Sequence, residues 1–341
     1  MFDWLAKILG YVMKGCSWLT LNNYVLALLL FALAMQLLLC PFGIKQQKNM
    51  VKQAKLRPKE MAIRSKYKGR SDQVTMKKMQ NEIMELYQKE GYSQLAGCLP
   101  MLLQLIIIFP IYQVVIRPLE FITGFAKDTC EALYNELNTL GLFGEGAAEY
   151  GKNTIAQITT ISKLRQNPEI IGSLSEGLQG AISEAGGVNE LPNMVMFGTD
   201  LGTTPWDSFG QWYWWLIFIP ILNLGFMYLS QFLSRKLSYQ NPQAEQMNNS
   251  SMKIMMYVLP LMTMFITFKF AAAIGIYWIF RTILSMLQQF IFYKAMPYPK
   301  FTEEDFKKAE REMKGTRKSK KTDAEYVVQP GQYRSLHHID D

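Results

Sequence analysis

Apolar residues in this chain come in blocks separated by polar and charged stretches, and the longest block sets the picture. From Tyr24 to Leu39 a single polar side chain, Gln36, interrupts YVLALLLFALAMQLLL. Extended through Cys40 to Ile44, the block is long enough, at ~1.5 Å rise per residue, to cross a hydrocarbon layer of ~30 Å. An amide in lipid has no water to satisfy it, so Gln36 must turn toward other helices or a wet cavity. Further blocks at Leu95–Val115, Trp212–Phe232, Ile254–Phe268 and Ala271–Phe292 predict four more crossings. Ahead of the first block, Trp4, Leu5, Ile8, Leu9 and Val12 recur at helical spacing opposite Asp3, Lys7 and Lys14. That pattern predicts an amphipathic helix in the membrane interface, with Trp4 and Trp18 as headgroup-level anchors.

The fold expected is all-α: a polytopic membrane protein with five transmembrane helices, an N-terminal interfacial amphipathic helix and a cytoplasmic helical hairpin. The interfacial helix takes residues 1–20, the spans residues 21–44, 93–117, 211–233, 253–269 and 271–293. Between them lie the hairpin at 45–92, an external insert at 118–210 and a loop at 234–252, with a charged, disordered tail at 294–341.

Charge orients these segments. Lys45 to Gly91 carries thirteen Lys and Arg against five acids, which makes it cytoplasmic by the positive-inside rule. Arg117 to Gly210 carries twelve acids against five bases and belongs on the other side. Five crossings then put the N-terminus outside and the tail inside. Within the basic stretch, Lys48–Tyr67 and Asp72–Glu90 have helix length, with Asp72 as the N-cap of the second and Pro58 bending the first. Val74, Met79, Ile83, Leu86 and Tyr87 form an apolar stripe on the second piece, and the hairpin is methionine-rich along one side. In the insert, short helices are expected at 126–140, 154–165 and 169–184. The tail's Lys314–Lys321 run can touch anionic lipid or ribosomal RNA.

Polar groups inside the spans carry the functional expectation. Tyr277, Arg281, Ser285 and Gln288 recur at i, i+4, i+8 and i+11, one stripe down the fifth span. Arg281 is the one charge deep in any predicted span, and no Asp or Glu lies in a span to pair with it. Facing lipid it would cost ~2.5–3.5 kcal/mol on insertion scales. Gln104 on the second span and Gln36 on the first can complete a polar groove of three helices. Taken singly, each of these side chains also fits ordinary helix cross-linking.

The same inventory excludes chemistry. The spans hold no Asp and no His, so neither an aspartyl dyad nor a zinc site can be built there. Cys16, Cys40, Cys98 and Cys130 form no C-x-x-C pair, and the two histidines are His337 and His338. Leu39 before Cys40 is too bulky for a lipoprotein cleavage site. No enzyme, metal or cofactor is expected. An ion or solute transporter is the alternative, but it predicts an inverted repeat, and the five spans are unlike one another.

These residues resemble the YidC family of membrane protein insertases, whose relatives also work in mitochondria and chloroplasts. The resemblance is carried by FGIKQQKNM (Phe42–Met50), YQKEGYSQLAGCLPMLLQ (Tyr87–Gln104), MKIMMYVLPL (Met252–Leu261) and IGIYWIF (Ile274–Phe280), with Gln288 and Gln289 downstream. It implies a hydrophilic groove open to cytoplasm and lipid, walled by the first, second and fifth spans, in a bacterial plasma membrane. It also implies nascent membrane proteins as clients, received alone or beside the Sec translocon. The hairpin and tail add the ribosome and anionic lipids as expected partners. Such insertases usually carry an arginine where this chain has Gln36, and small polar residues where it has Arg281 and Thr282. Set against that resemblance, the charge is expected on another wall of the groove, with Arg281 doing the work Gln36 cannot. With the first and fifth spans antiparallel and level, Arg281 would lie about five residues, ~7 Å, above Gln36. The groove-lining set is therefore Gln36, Gln104, Tyr277, Arg281, Ser285 and Gln288, with the external insert longer than such a core needs.

Overall fold

A computed structural model of the chain describes residues 3–70, 72–92, 106–107, 109–144, 147–237 and 250–313. It divides into two compact units, residues 1–45 with 98–295, and residues 46–97 with 296–341.

In the first unit, α1 (Asp3–Leu19) buries Ala6, Leu9 and Met13 and leaves Trp4, Tyr11 and Trp18 exposed. The amphipathic pattern ahead of the first span therefore has a buried and an exposed face. Leu21 and Asn22 then take positive φ, a turn that starts α2 (Tyr24–Lys55) at the first residue of the apolar block, three residues later than the span expected at 21–44. α2 does not stop at Ile44. It carries Pro41 in its interior and continues to Lys55, its last ten residues belonging to the second unit.

The described end of the second span, residues 109–116, is helical and stays close to α2, since the Tyr24 hydroxyl donates to the Val115 carbonyl at 2.6 Å. A π turn, Leu119–Thr123, closes against α1, where Gly10 lets the Phe121 ring approach. The insert is a folded layer. α5 (Lys127–Thr139), α6 (Ala156–Gln166) and α7 (Glu176–Glu184) bury Cys130, Leu133, Leu137, Ile158, Ile161 and Leu164 in the same core as α1 and α2. The last expected helix starts later, because Pro168–Ser173 forms a 3-10 turn first. A two-stranded antiparallel ribbon, β1 (Val195–Met196) and β2 (Thr199–Asp200), completes it.

Trp212, Tyr213, Trp214 and Trp215, at the start of the third expected span, precede the helix. Trp214–Ile217 is a 3-10 turn, and α8 runs Phe218–Leu237 with Pro220 in its first turn, where a missing N–H costs nothing. α9 (Ser250–Lys269) and α10 (Ala272–Ala295) follow, joined through Phe270 and Ala271. α8 packs along both. Among the described residues, α2, α8 with its preceding turn, and α10 are long and apolar enough to cross a membrane.

In the second unit Pro58 begins a helix rather than bending one. α3 (Arg57–Lys66) starts afresh after Leu56, because proline suits a first turn and breaks an interior. α4 (Gln73–Lys89) is capped by Asp72, whose carboxylate accepts the Thr75 N–H at 2.9 Å. Ile63 from α3 and Met79, Ile83, Leu86 and Tyr87 from α4 make the hairpin core, while Val74 points out. The methionine side is divided: Met79 is buried, Met61 and Met84 are exposed. Residues 303–313 are helical, with Ala309 buried and Met313 packed against that core, where sequence composition predicts disorder. The Lys314–Lys321 run lies outside the described residues.

Candidate functional site

The site is built on α2 and α10. Three contacts fix their relative direction: Phe31 with Tyr277, ring centroids 6.1 Å apart, Gln36 with Gln288, and Gly43 with the Phe292 ring. Residue numbers rise together along both helices, so they run parallel. The antiparallel arrangement expected from sequence is corrected by these contacts, and the five crossings also expected there would themselves make the first and last parallel. The register changes with it. Gln36 donates its amide N–H to Gln288 Oε1, and Arg281 lies seven residues, roughly 10 Å, nearer the N-terminal end of α10 than that amide pair. Gly43 permits the approach, because a Cβ there would come within 2.9 Å of Phe292.

The fifth-span stripe is graded in burial. Tyr277 is buried and its hydroxyl has no hydrogen-bond partner among the described residues. One turn on, Arg281 is half-buried, and no carboxylate among the described residues pairs with it. Ser285 is exposed and Gln288 half-buried against Gln36. Gln104 lies outside the described residues. The structure thus brings Gln36 against Gln288 and Tyr277 against Phe31, and Arg281 and Ser285 follow Tyr277 at four-residue spacing along α10.

Two features were not anticipated from the sequence. Asn223 on α8 is almost fully buried and donates to the Gly275 carbonyl at 3.0 Å. As a lone amide inside an apolar run it carried the same signal as Gln36. The second is a backbone cap. The Thr203 and Leu201 carbonyls accept the N–H groups of Ala272 and Ala273 at 3.0 and 3.1 Å, and Asn193 bonds Asn22 and Tyr24 at 2.7 and 3.1 Å. The insert therefore satisfies first-turn donors of α10 that would otherwise lack partners, and it ties down the start of α2. Among the described residues no group of three His, Cys, Asp or Glu side chains lies close enough to hold a metal ion.

The family model of the 60Kd inner membrane protein matches residues 17–300. The chain belongs to that family. Its similarity to the Treponema denticola membrane protein insertase YidC is 25% identity over 292 residues, 86% of this chain and 38% of that protein. Shorter stretches are closer. Identity is 39% over 99 residues with the Bacillus anthracis membrane protein insertase YidC 2, and 36% over 113 residues with Bacillus subtilis MisCA. Those cover 29% and 33% of this chain and 38% and 41% of the relatives. The chain thus spans about two fifths of the length of these curated relatives. Family membership and the helical architecture make it an all-α, multi-pass membrane protein.

Proposed function

We propose that this protein is a membrane protein insertase and chaperone that receives nascent membrane proteins, and that the α2–α10 wall is its polar path. The observation that carries the reading is a guanidinium without a carboxylate partner among the described residues, on the helix whose Gln288 accepts the Gln36 amide N–H. Relatives named membrane protein insertase supply the class. A hydrophilic path shortens the low-dielectric distance that a polar segment must cross, which lowers its desolvation cost. Arg281 attracts acidic residues of a short translocated segment, and no covalent step is involved. The N-terminus is outside and the C-terminus in the bacterial cytoplasm, from the charge balance of the loops. The Sec translocon, the ribosome through the basic hairpin and tail, and anionic lipids are the further partners of this reading. Gln104 belongs to the same wall in it.

Arg281→Ala is expected to reduce insertion of an acidic-tailed single-span client into liposomes by roughly fivefold, the factor for about 1 kcal/mol. Gln36→Arg in that background restores it, two turns further along. Parent-level insertion by Arg281→Ala, or no rescue, removes Arg281 from the mechanism. Solute flux without protease-protected insertion would favour a transporter instead.

A further inference from the structure

Two adjoining cavities, of about 630 and 410 Å³, open beside α1 in the first unit, and both have Gln113, Arg117, Glu120 and Lys127 in their walls. Neither belongs to the α2–α10 wall. The larger adds Lys7, Tyr11 and Lys14 from α1, with Gly10, Phe121 and Phe125 as apolar lining. Lys7, Lys14 and Lys127 are exposed, so the mouth is cationic, and α1 also exposes Trp4, Tyr11 and Trp18. Exposed aromatic rings of this kind sit at the headgroup level of a bilayer.

The interior has the opposite character. Gln113 Oε1 and Glu120 Oε2 are buried acceptor atoms that take no hydrogen bond. Arg117 Nη1 stands 3.8 Å from Glu120 Oε2, an ion-pair distance but too long for a hydrogen bond. The Glu120 backbone N–H is already held by Gln157 Oε1 at 3.1 Å. Two buried acceptors therefore lack donors, a costly arrangement unless something that donates arrives. The mouth favours a negative group and the interior asks for N–H donors with positive charge.

We infer that this cavity binds the headgroup of an aminophospholipid, its phosphate among Lys7, Lys14 and Lys127 and its primary ammonium on Glu120 and Gln113. A phosphocholine group has no N–H to give these acceptors. A phosphoglycerol group has hydroxyl donors but no charge for Glu120. The inference is independent of the insertion reading, and its readout is lipid retention rather than insertion.

The test is native mass spectrometry of the full-length protein in detergent with equal phosphatidylethanolamine, phosphatidylglycerol and phosphatidylcholine of one acyl composition. Phosphatidylethanolamine is expected to be retained roughly tenfold over phosphatidylcholine, the order given by one hydrogen bond to a charged group. Glu120→Gln brings that ratio close to unity. Should Glu120→Gln unfold, Gln113→Leu reads the same ratio and is expected to lower it. Lys7→Gln with Lys14→Gln, both on the exposed side of α1, weakens all three lipids alike and leaves the ratio unchanged. Equal retention of the three lipids, or a ratio that survives Glu120→Gln and Gln113→Leu, overturns the proposal. Displacement of the lipid by free O-phosphoethanolamine at equal concentration would overturn the lipid assignment in favour of a soluble ligand.

Discussion

Glu60 shows no surface to water, yet it sits in a hairpin that looks from its composition like a solvated basic loop. Its carboxylate accepts Arg64 Nε and Nη2 at 3.1 and 2.8 Å and the Tyr87 hydroxyl at 2.9 Å, so one side chain joins α3 to α4. The spacing Glu60–Arg64 is visible in sequence as an i, i+4 pair, which on a surface is worth little. Burial changes the magnitude. Glu60→Ala leaves the Arg64 guanidinium buried without this carboxylate and is expected to cost about 3–5 kcal/mol. Hydrogen exchange of the α4 amides measures it, and Glu60→Leu with Arg64→Met should regain most of the protection. Unchanged exchange in Glu60→Ala would show that the pair holds nothing. Arg281 is the converse case. Its isolation was legible, because a charge within an apolar block with no acid in any span stands out from the sequence alone.

At the scale of elements, the apolar blocks place the helices but not how closely they meet. Gly275 is the point where α8, α9 and α10 converge. A Cβ there would come to 2.5 Å from Ile219 Cγ2 and 3.0 Å from Thr267 Cγ2, while Asn223 holds the Gly275 carbonyl. Gly275→Val is therefore expected to lose about 1–3 kcal/mol by overpacking, read as a lower unfolding temperature in detergent. Adding Ile219→Ala should return part of it. A Val variant as stable as the parent would mean the three helices separate easily. Asn223 gave the same lone-amide signal as Gln36, whereas Gly275 gave none, because a glycine within a span has many harmless uses.

Across the whole chain, the insert is the segment whose purpose the sequence left open. Its loops hold the N-terminal ends of α2 and α10 by main-chain hydrogen bonds. Asn23 and Asn193 are bridge partners there, so cysteines at both positions can be oxidised to a cross-link. Under the proposed function the oxidised Asn23→Cys, Asn193→Cys protein inserts clients at the parental rate, because the polar path does not open at that end. Activity that disappears on oxidation and returns on reduction would make the insert a moving cover.

The order of the apolar and charged segments, and the helices most of them form, were already legible in the amino-acid sequence. Lipid offers no hydrogen-bond partner, so the backbone must satisfy itself within each block, and that constraint is local. Only the tertiary structure decided which polar groups find each other. Gln36 and Gln288 lie 252 residues apart, and the adjacency and register of α2 and α10 that pair them rest on contacts no local periodicity encodes. The insert's core, the backbone cap on α10 and the buried Glu60 were decided in the same way. Their energies come from burial and from partners distant in the chain, and a pattern of residue types does not contain those distances.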